Sequence, residues 1–107
     1  MQFEGIWTPI VTPHNDDFSI NEAALGETVE HLIAGGVHGI ISAGTTGEYY
    51  AQTFEERVHL ARTIKAMIGG RVPMVMGTGA FRTEDSIEYA RAAREIGADA
   101  ILVATPP

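Results

Sequence analysis

The chain has 107 residues, 45% of them hydrophobic and 20% charged, a composition that suits one soluble globular domain with a modest core. Seven Lys and Arg against fourteen Asp and Glu give a formal charge of −7 with no basic cluster, which argues against nucleic acid and anionic membrane as partners. There is no cysteine, hence no disulfide, thiolate metal ligand or cysteine nucleophile; no bilayer-length apolar run and no signal-peptide pattern are visible, so a cytoplasmic protein is expected.

Ile6 to Val11 reads as a first strand, ended by Thr12-Pro13, with His14-Asn15-Asp16-Asp17 as a polar loop. Ser19 and Glu22 stand at capping-box spacing before a helix that turns Leu25, Val29, Leu32 and Ile33 inward and stops at Gly35-Gly36. Val37 to Ser42 is the second strand. Thr53 and Glu56 open a second helix with Val58, Ala61, Ile64 and Ile68 inward, closed by Gly69-Gly70. Val72 to Met76 is the third strand, followed by Gly77-Thr78-Gly79. Thr83 is placed to cap a third helix carrying Ile87, Ala90, Ala93 and Ile96, and Ala100 to Ala104 is a fourth strand.

This βαβαβαβ order predicts parallel strands with right-handed crossovers. Short, nearly continuous apolar strands fit a sheet covered on both faces. An open doubly wound sheet and part of a (β/α)8 barrel compete. Polar or glycine-rich residues follow every strand, which favours the barrel, because a barrel gathers all those ends at one face. A complete barrel takes about 250 residues. Four strands cannot close its ring, and two strand edges would stay open. Residues 1–107 are therefore expected to be the N-terminal portion of a longer barrel, or to assemble with other chains.

Gly44-Thr45-Thr46-Gly47-Glu48 concentrates the chemistry. Backbone N–H groups at a strand-to-helix turn, two hydroxyls and a following helix N-terminus suit a carboxylate or a phosphate. Small residues let the backbone approach a ligand, and Glu48 could act as acid, base or loop tether. An ordinary strand-to-helix loop is the competing reading. Thr8, Thr12, Glu48, Tyr49, Gly77 and Thr105 are the candidate pocket-lining residues, being at or just beyond strand ends. Tyr49 and Tyr50 suit either a pocket mouth or packing beneath the next helix. His14, His31, His38 and His59 lack metal-ligand spacing, and no metal site is expected.

Thr8-Pro9 with Thr12-Pro13, Gly44-Thr45-Thr46-Gly47-Glu48, Gly77-Thr78-Gly79-Ala80 and Thr105-Pro106-Pro107, at these spacings, resemble the N-terminal part of the dihydrodipicolinate synthase / N-acetylneuraminate lyase superfamily. The resemblance implies a homotetrameric (β/α)8 barrel and class I aldolase chemistry on pyruvate or another 2-keto acid through a lysine Schiff base, with no metal or organic cofactor. It implies that Thr45, Thr46 and Gly47 bind the keto acid, the two threonines holding its carboxylate, and that Thr45 joins a proton relay with a tyrosine. Condensation of pyruvate with aspartate semialdehyde is the implied reaction. The alternatives are a 2-keto sugar-acid aldolase or dehydratase, or an N-acetylneuraminate lyase. Phe81, where lysine-biosynthetic members carry Asn, argues against lysine feedback.

The one lysine, Lys65, lies within the second helix and does not match the family's Schiff-base position; the relay tyrosine is also absent from the chain. These 107 residues alone are expected to carry the carboxylate site without aldolase turnover. A non-catalytic half-barrel that binds a carboxylate or self-assembles is the reading from another class, and a phosphate-binding barrel is a third.

Overall fold

Glycine stops and apolar stripes divide the chain as the sequence predicts, but the strands are shorter. The computed structural model of the protein describes residues 1–105. In chain order the elements are β1 (Trp7–Pro9), α1 (Glu22–Ala34), β2 (Gly39–Ser42), α2 (Phe54–Ile68), β3 (Met74–Gly77), α3 (Thr83–Ile96) and β4 (Ala100–Leu102). A single 3-10 turn, Tyr49–Ala51, separates β2 from α2. Pro106 and Pro107, the end of the Thr-Pro-Pro motif, lie outside the described residues.

The four strands are parallel and stand in the order β1-β2-β3-β4. α1 packs on α2 and α2 on α3, so the helices form one layer. Sequential strand order with no reversal is the arrangement of consecutive barrel units, whereas a doubly wound sheet reverses at a switch point. Ile40 pairs with Met74 and Ser42 with Met76. These residues share the face that the helices cover. Ile10, Leu25, Val29, Leu60, Ile64 and Ile68 fill the space between with essentially no exposure. Ile41 and Val75 pair on the opposite face.

Capping explains where the helices begin. Thr53 and Glu56 form the predicted reciprocal box: Thr53 Oγ1 accepts from Glu56 N at 3.1 Å, and Thr53 N donates to Glu56 Oε1 at 3.4 Å. Such a cap stabilises a helix by about 1 kcal/mol. Two other expected caps differ. Asn21, not Ser19, caps α1, its Oδ1 accepting from Ala24 N at 3.0 Å. Ser19 instead bonds Asp17 in the preceding turn, through both its backbone and its hydroxyl. Thr83 is already the first helical residue of α3, so its hydroxyl cannot serve as N-cap, and Arg82 occupies that place without a side-chain bond. Gly69 and Gly97 end their helices in the left-handed conformation that glycine tolerates best. Among the described residues, no helix is long and apolar enough to cross a membrane.

Candidate functional site

β2 ends at Ser42, and the chain leaves it through two strained residues rather than through its glycines. Ala43 has φ 58° and Glu48 has φ 61°, while Gly44 and Gly47 between them do not adopt positive φ. A left-handed non-glycine residue costs of order 1–3 kcal/mol and persists where its surroundings over-determine it. Gly47 owes its identity to crowding instead. A Cβ there would lie 3.0 Å from the Ile10 carbonyl and 3.3 Å from Thr12 Oγ1. The missing side chain makes room for the end of β1, not for a ligand.

From beneath, the loop is held firmly. Gly47 N donates to Gly44 O at 3.1 Å and Glu48 N to Thr45 O at 2.9 Å. The Gly47 carbonyl accepts from Thr12 Oγ1 at 2.8 Å and from Gln52 Nε2 at 3.0 Å. These bonds use neither the N–H nor the hydroxyl of Thr45 and Thr46, and both threonines are exposed. Four donors thus stand together at the C-terminal end of a parallel strand, on a base that side chains fix. That combination suits a planar anion.

The expected help from a helix N-terminus is not found. The 3-10 turn comes between the loop and α2, and Thr53 occupies the α2 terminus with its own capping box. Glu55 and Glu56 in the first turn offset the positive end further.

The candidate pocket-lining residues do not converge on one place. Thr12 is buried and works through Gly47. Thr8 pairs with Ile40 and shares its helix-covered face, whereas Pro9 pairs with Ile41 on the opposite face and a Gly44 Cβ would approach it to 3.8 Å. Pro9 therefore stands closer to the loop than sequence reasoning anticipated. Glu48 is exposed, and its carboxylate makes no hydrogen bond or ion pair among the described residues. Gly77 is buried against the loop: a Cβ there would meet the Ala43 carbonyl oxygen at 2.2 Å. Thr105 is exposed and, with Thr78, Ser86, Ile87 and Ile101, borders an open depression of about 410 Å³.

A cavity of about 710 Å³ among the described residues contains neither Thr45 nor Thr46. It lies between the 3-10 turn, the start of α2 and α3, with Tyr49, Phe54, Phe81 and Tyr89 among its walls. Tyr49 lines this cavity rather than the threonine loop, and it also packs against Arg57 of the next helix, whose guanidinium carbon lies 4.8 Å from its ring centre. Lys65 lies at the other end of the sheet. Its Nζ is 4.0 Å from Asp99 Oδ2, and that same oxygen accepts from the N–H of Met74, the first residue of β3. His59 and Glu22 pair at 2.6 Å across the exposed α1–α2 seam, and His38 Nδ1 accepts from Ile6 N at 3.0 Å.

Sequence reasoning passed over Arg57. It is 1% exposed, in the same inward row of α2 as Leu60, Ala61, Ile64 and Ile68. Nη1 donates to Gly79 O at 2.8 Å and Nη2 to Gly77 O at 2.6 Å. Burial pulls its pKa below the ordinary arginine value, opposed chiefly by Tyr89. The guanidinium carbon lies 3.9 Å from the centre of that ring. The signal was its spacing, four residues before Ala61. A formal charge at that position reads as solvated, because a lone buried cation is expensive.

The sequence profile of the Dihydrodipicolinate synthetase family matches residues 2–106. A protein of Thioalkalivibrio sulfidiphilus named 4-hydroxy-tetrahydrodipicolinate synthase is 40% identical over 97% of this chain and 35% of its own length. The crystal structure of a dihydrodipicolinate synthase from Bacillus anthracis superposes with a TM-score of 0.95 at 37% identity, over 99% of this chain and 36% of that one. The chloride-inhibited dihydrodipicolinate synthase from Acinetobacter baumannii, solved with pyruvate, gives a TM-score of 0.95 at 36% identity over 98% and 36%. The chain thus spans about a third of the length of the relatives it matches.

Proposed function

The chain belongs to the dihydrodipicolinate synthetase family and has the fold of the N-terminal portion of its (β/α)8 barrel, and from that premise we propose that it carries the keto-acid carboxylate site of a pyruvate-dependent lyase. The whole protein forms a Schiff base between a lysine and pyruvate and condenses the resulting enamine with aspartate semialdehyde. Thr45 and Thr46 take the carboxylate, with Gly47, expected beside them, holding their loop from behind through its own hydrogen bonds, and Thr45 also passes a proton during imine formation. The protein acts in the cytoplasm as a homotetramer.

The observation that carries this reading is the pair of exposed threonines whose N–H and hydroxyl groups are unspent among the described residues, on a loop fixed from below by Thr12 and Gln52. Fixing the carboxylate turns the 2-carbonyl toward an incoming amine, which converts an encounter into an intramolecular attack. The protonated imine then draws electrons from C3, whose proton leaves to give the enamine nucleophile. Lys65 does not supply the amine, because it stands at the N-terminal end of the strands beside Asp99. We assign the imine-forming lysine to the part of the relatives' length that this chain does not span.

The test uses the full-length protein, with pyruvate and borohydride to trap the imine and aspartate semialdehyde, N-acetylmannosamine and glyceraldehyde as competing acceptors. Thr45→Val and Thr46→Val should each raise the pyruvate KM by about 10- to 100-fold, the loss of a hydrogen bond to a charged group. An unchanged pyruvate KM in both variants would refute the carboxylate site. Absence of any trapped adduct in the parent protein would refute the Schiff-base chemistry.

A further inference from the structure

Beside the threonine loop stands the end of β3, Gly77-Thr78-Gly79, and its three consecutive carbonyls are all held by side chains. Gly77 O accepts from Arg57 Nη2 at 2.6 Å, Thr78 O from Ser86 Oγ at 2.6 Å and Gly79 O from Arg57 Nη1 at 2.8 Å. Thr78 is also tied to β4, its N–H donating to Leu102 O at 3.0 Å. Three side-chain donors and one backbone bond thus hold this segment.

It touches the threonine loop at both ends. At the entrance, Gly77 lies so close to the Ala43 carbonyl that no side chain fits between them. At the exit, a Cβ on Gly79 would lie 3.6 Å from the ring of Tyr49. Arg57 reaches both places at once, gripping the Gly77 and Gly79 carbonyls and resting 4.8 Å from the Tyr49 ring centre. Among the described residues no carboxylate pairs with this cation. Carbonyl oxygens and the faces of Tyr89 and Tyr49 are what meet its charge. A packing role alone would be met by an apolar side chain, as at Leu60 and Ile64 in the same row.

We infer that Arg57 is a positioning residue for the keto-acid site: its two-pronged hold on Gly77 and Gly79, with its contact to Tyr49, fixes the height and tilt of the Thr45–Thr46 loop. The inference rests on the carboxylate-site reading above. Arg57 itself does not touch the keto acid. A planar fork with two parallel donors can span carbonyls two residues apart, and a lysine ammonium cannot reproduce that geometry.

The experiment compares Arg57→Lys and Ser86→Ala with the parent in the full-length protein. Arg57→Lys keeps the charge and most of the volume. Its pyruvate KM should rise about 10- to 100-fold, the scale of a small misplacement of a binding group. The KM for the second substrate should hold. Ser86→Ala frees only the Thr78 carbonyl and should raise the pyruvate KM roughly two- to fivefold. In Arg57→Ala, added ethylguanidinium should restore part of the pyruvate affinity. Equal losses for both substrates that track the fall in Tm, with no guanidinium rescue, would show a merely structural arginine. So would an unchanged pyruvate KM in a folded Arg57→Lys. If Arg57→Lys does not fold, an unchanged pyruvate KM in Ser86→Ala overturns the inference. If Thr45→Val leaves pyruvate KM unchanged, the carboxylate site fails first. If Thr45→Val raises it and Arg57→Lys does not, only the role of Arg57 fails.

Discussion

Two loops lie side by side at the C-terminal ends of β2 and β3, and they spend their polar groups in opposite ways. After β3, every carbonyl of Gly77-Thr78-Gly79 is committed to Arg57 or Ser86. After β2, the donors of Thr45 and Thr46 are committed to no group among the described residues, although Gly47 behind them is tied by Thr12 and Gln52. The first loop is bonded as scaffold, and the second leaves its donors exposed, as the proposed carboxylate site requires. The difference teaches that a motif's polarity says little until its hydrogen bonds are traced: both loops read as Gly/Thr-rich turns.

Substitutions can break this contrast. The largest expected effect belongs to Gly77→Ala. Its Cβ would stand 2.2 Å from the Ala43 carbonyl oxygen, and backbone must move to admit it. A loss of about 3 kcal/mol is expected, at the upper end for overpacking. Urea unfolding of the full-length variant measures it, and a loss below about 1 kcal/mol would mean the two loops slide apart easily.

Thr12→Val comes next. It removes a buried hydroxyl that donates to Gly47 O, while Gln52 keeps the carbonyl partly satisfied. The expected cost is about 1–2 kcal/mol, read from the same unfolding curve. Thr46→Val, by contrast, should change stability by less than about 0.5 kcal/mol, because its groups are exposed and unspent. If Thr46→Val destabilises as much as Thr12→Val, the division into scaffold and offered surface is wrong.

The smallest effect lies away from both loops. Glu30 is held below its ordinary pKa of 4.5 by its hydrogen bonds from Arg71, at 2.7 and 2.9 Å, although the carboxylate is exposed. A carboxylate depressed in the folded state adds stability above its unfolded pKa and loses it as pH falls through the folded value. The Tm gap between the parent and Glu30→Gln should therefore be small at neutral pH and close below pH 4.5. A gap that persists unchanged at about pH 3 would show that the pair contributes nothing through its charge.

The sequence reads β3 and β4 alike, as short apolar strands. β3 is buried along its whole length, whereas Leu102 is 47% exposed in β4. Composition cannot distinguish them: β3 pairs with β2 and β4, whereas β4 pairs among the described residues only with β3. Ile87, read with Ala90, Ala93 and Ile96 as an apolar position of α3, is likewise 46% exposed, and Tyr89 takes the buried place against Arg57.

Local chemistry was readable because it acts over a few residues. The capping box at Thr53 and Glu56, the glycine stops and the helical stripe of α2 follow from spacing alone. The parallel βα alternation and the threonine pair at the end of β2 were equally plain from the order of residues. What the fold alone decided concerns groups far apart in the chain. Arg57 meets Gly77 and Gly79 across some twenty positions, and Thr12 meets Gly47 across thirty-five. It also gave the positive φ angles to Ala43 and Glu48 instead of the glycines. Periodicity reports which side of an element is apolar. Only the packed neighbours decide which cation is buried, which carbonyl it holds and which hydroxyls are left free.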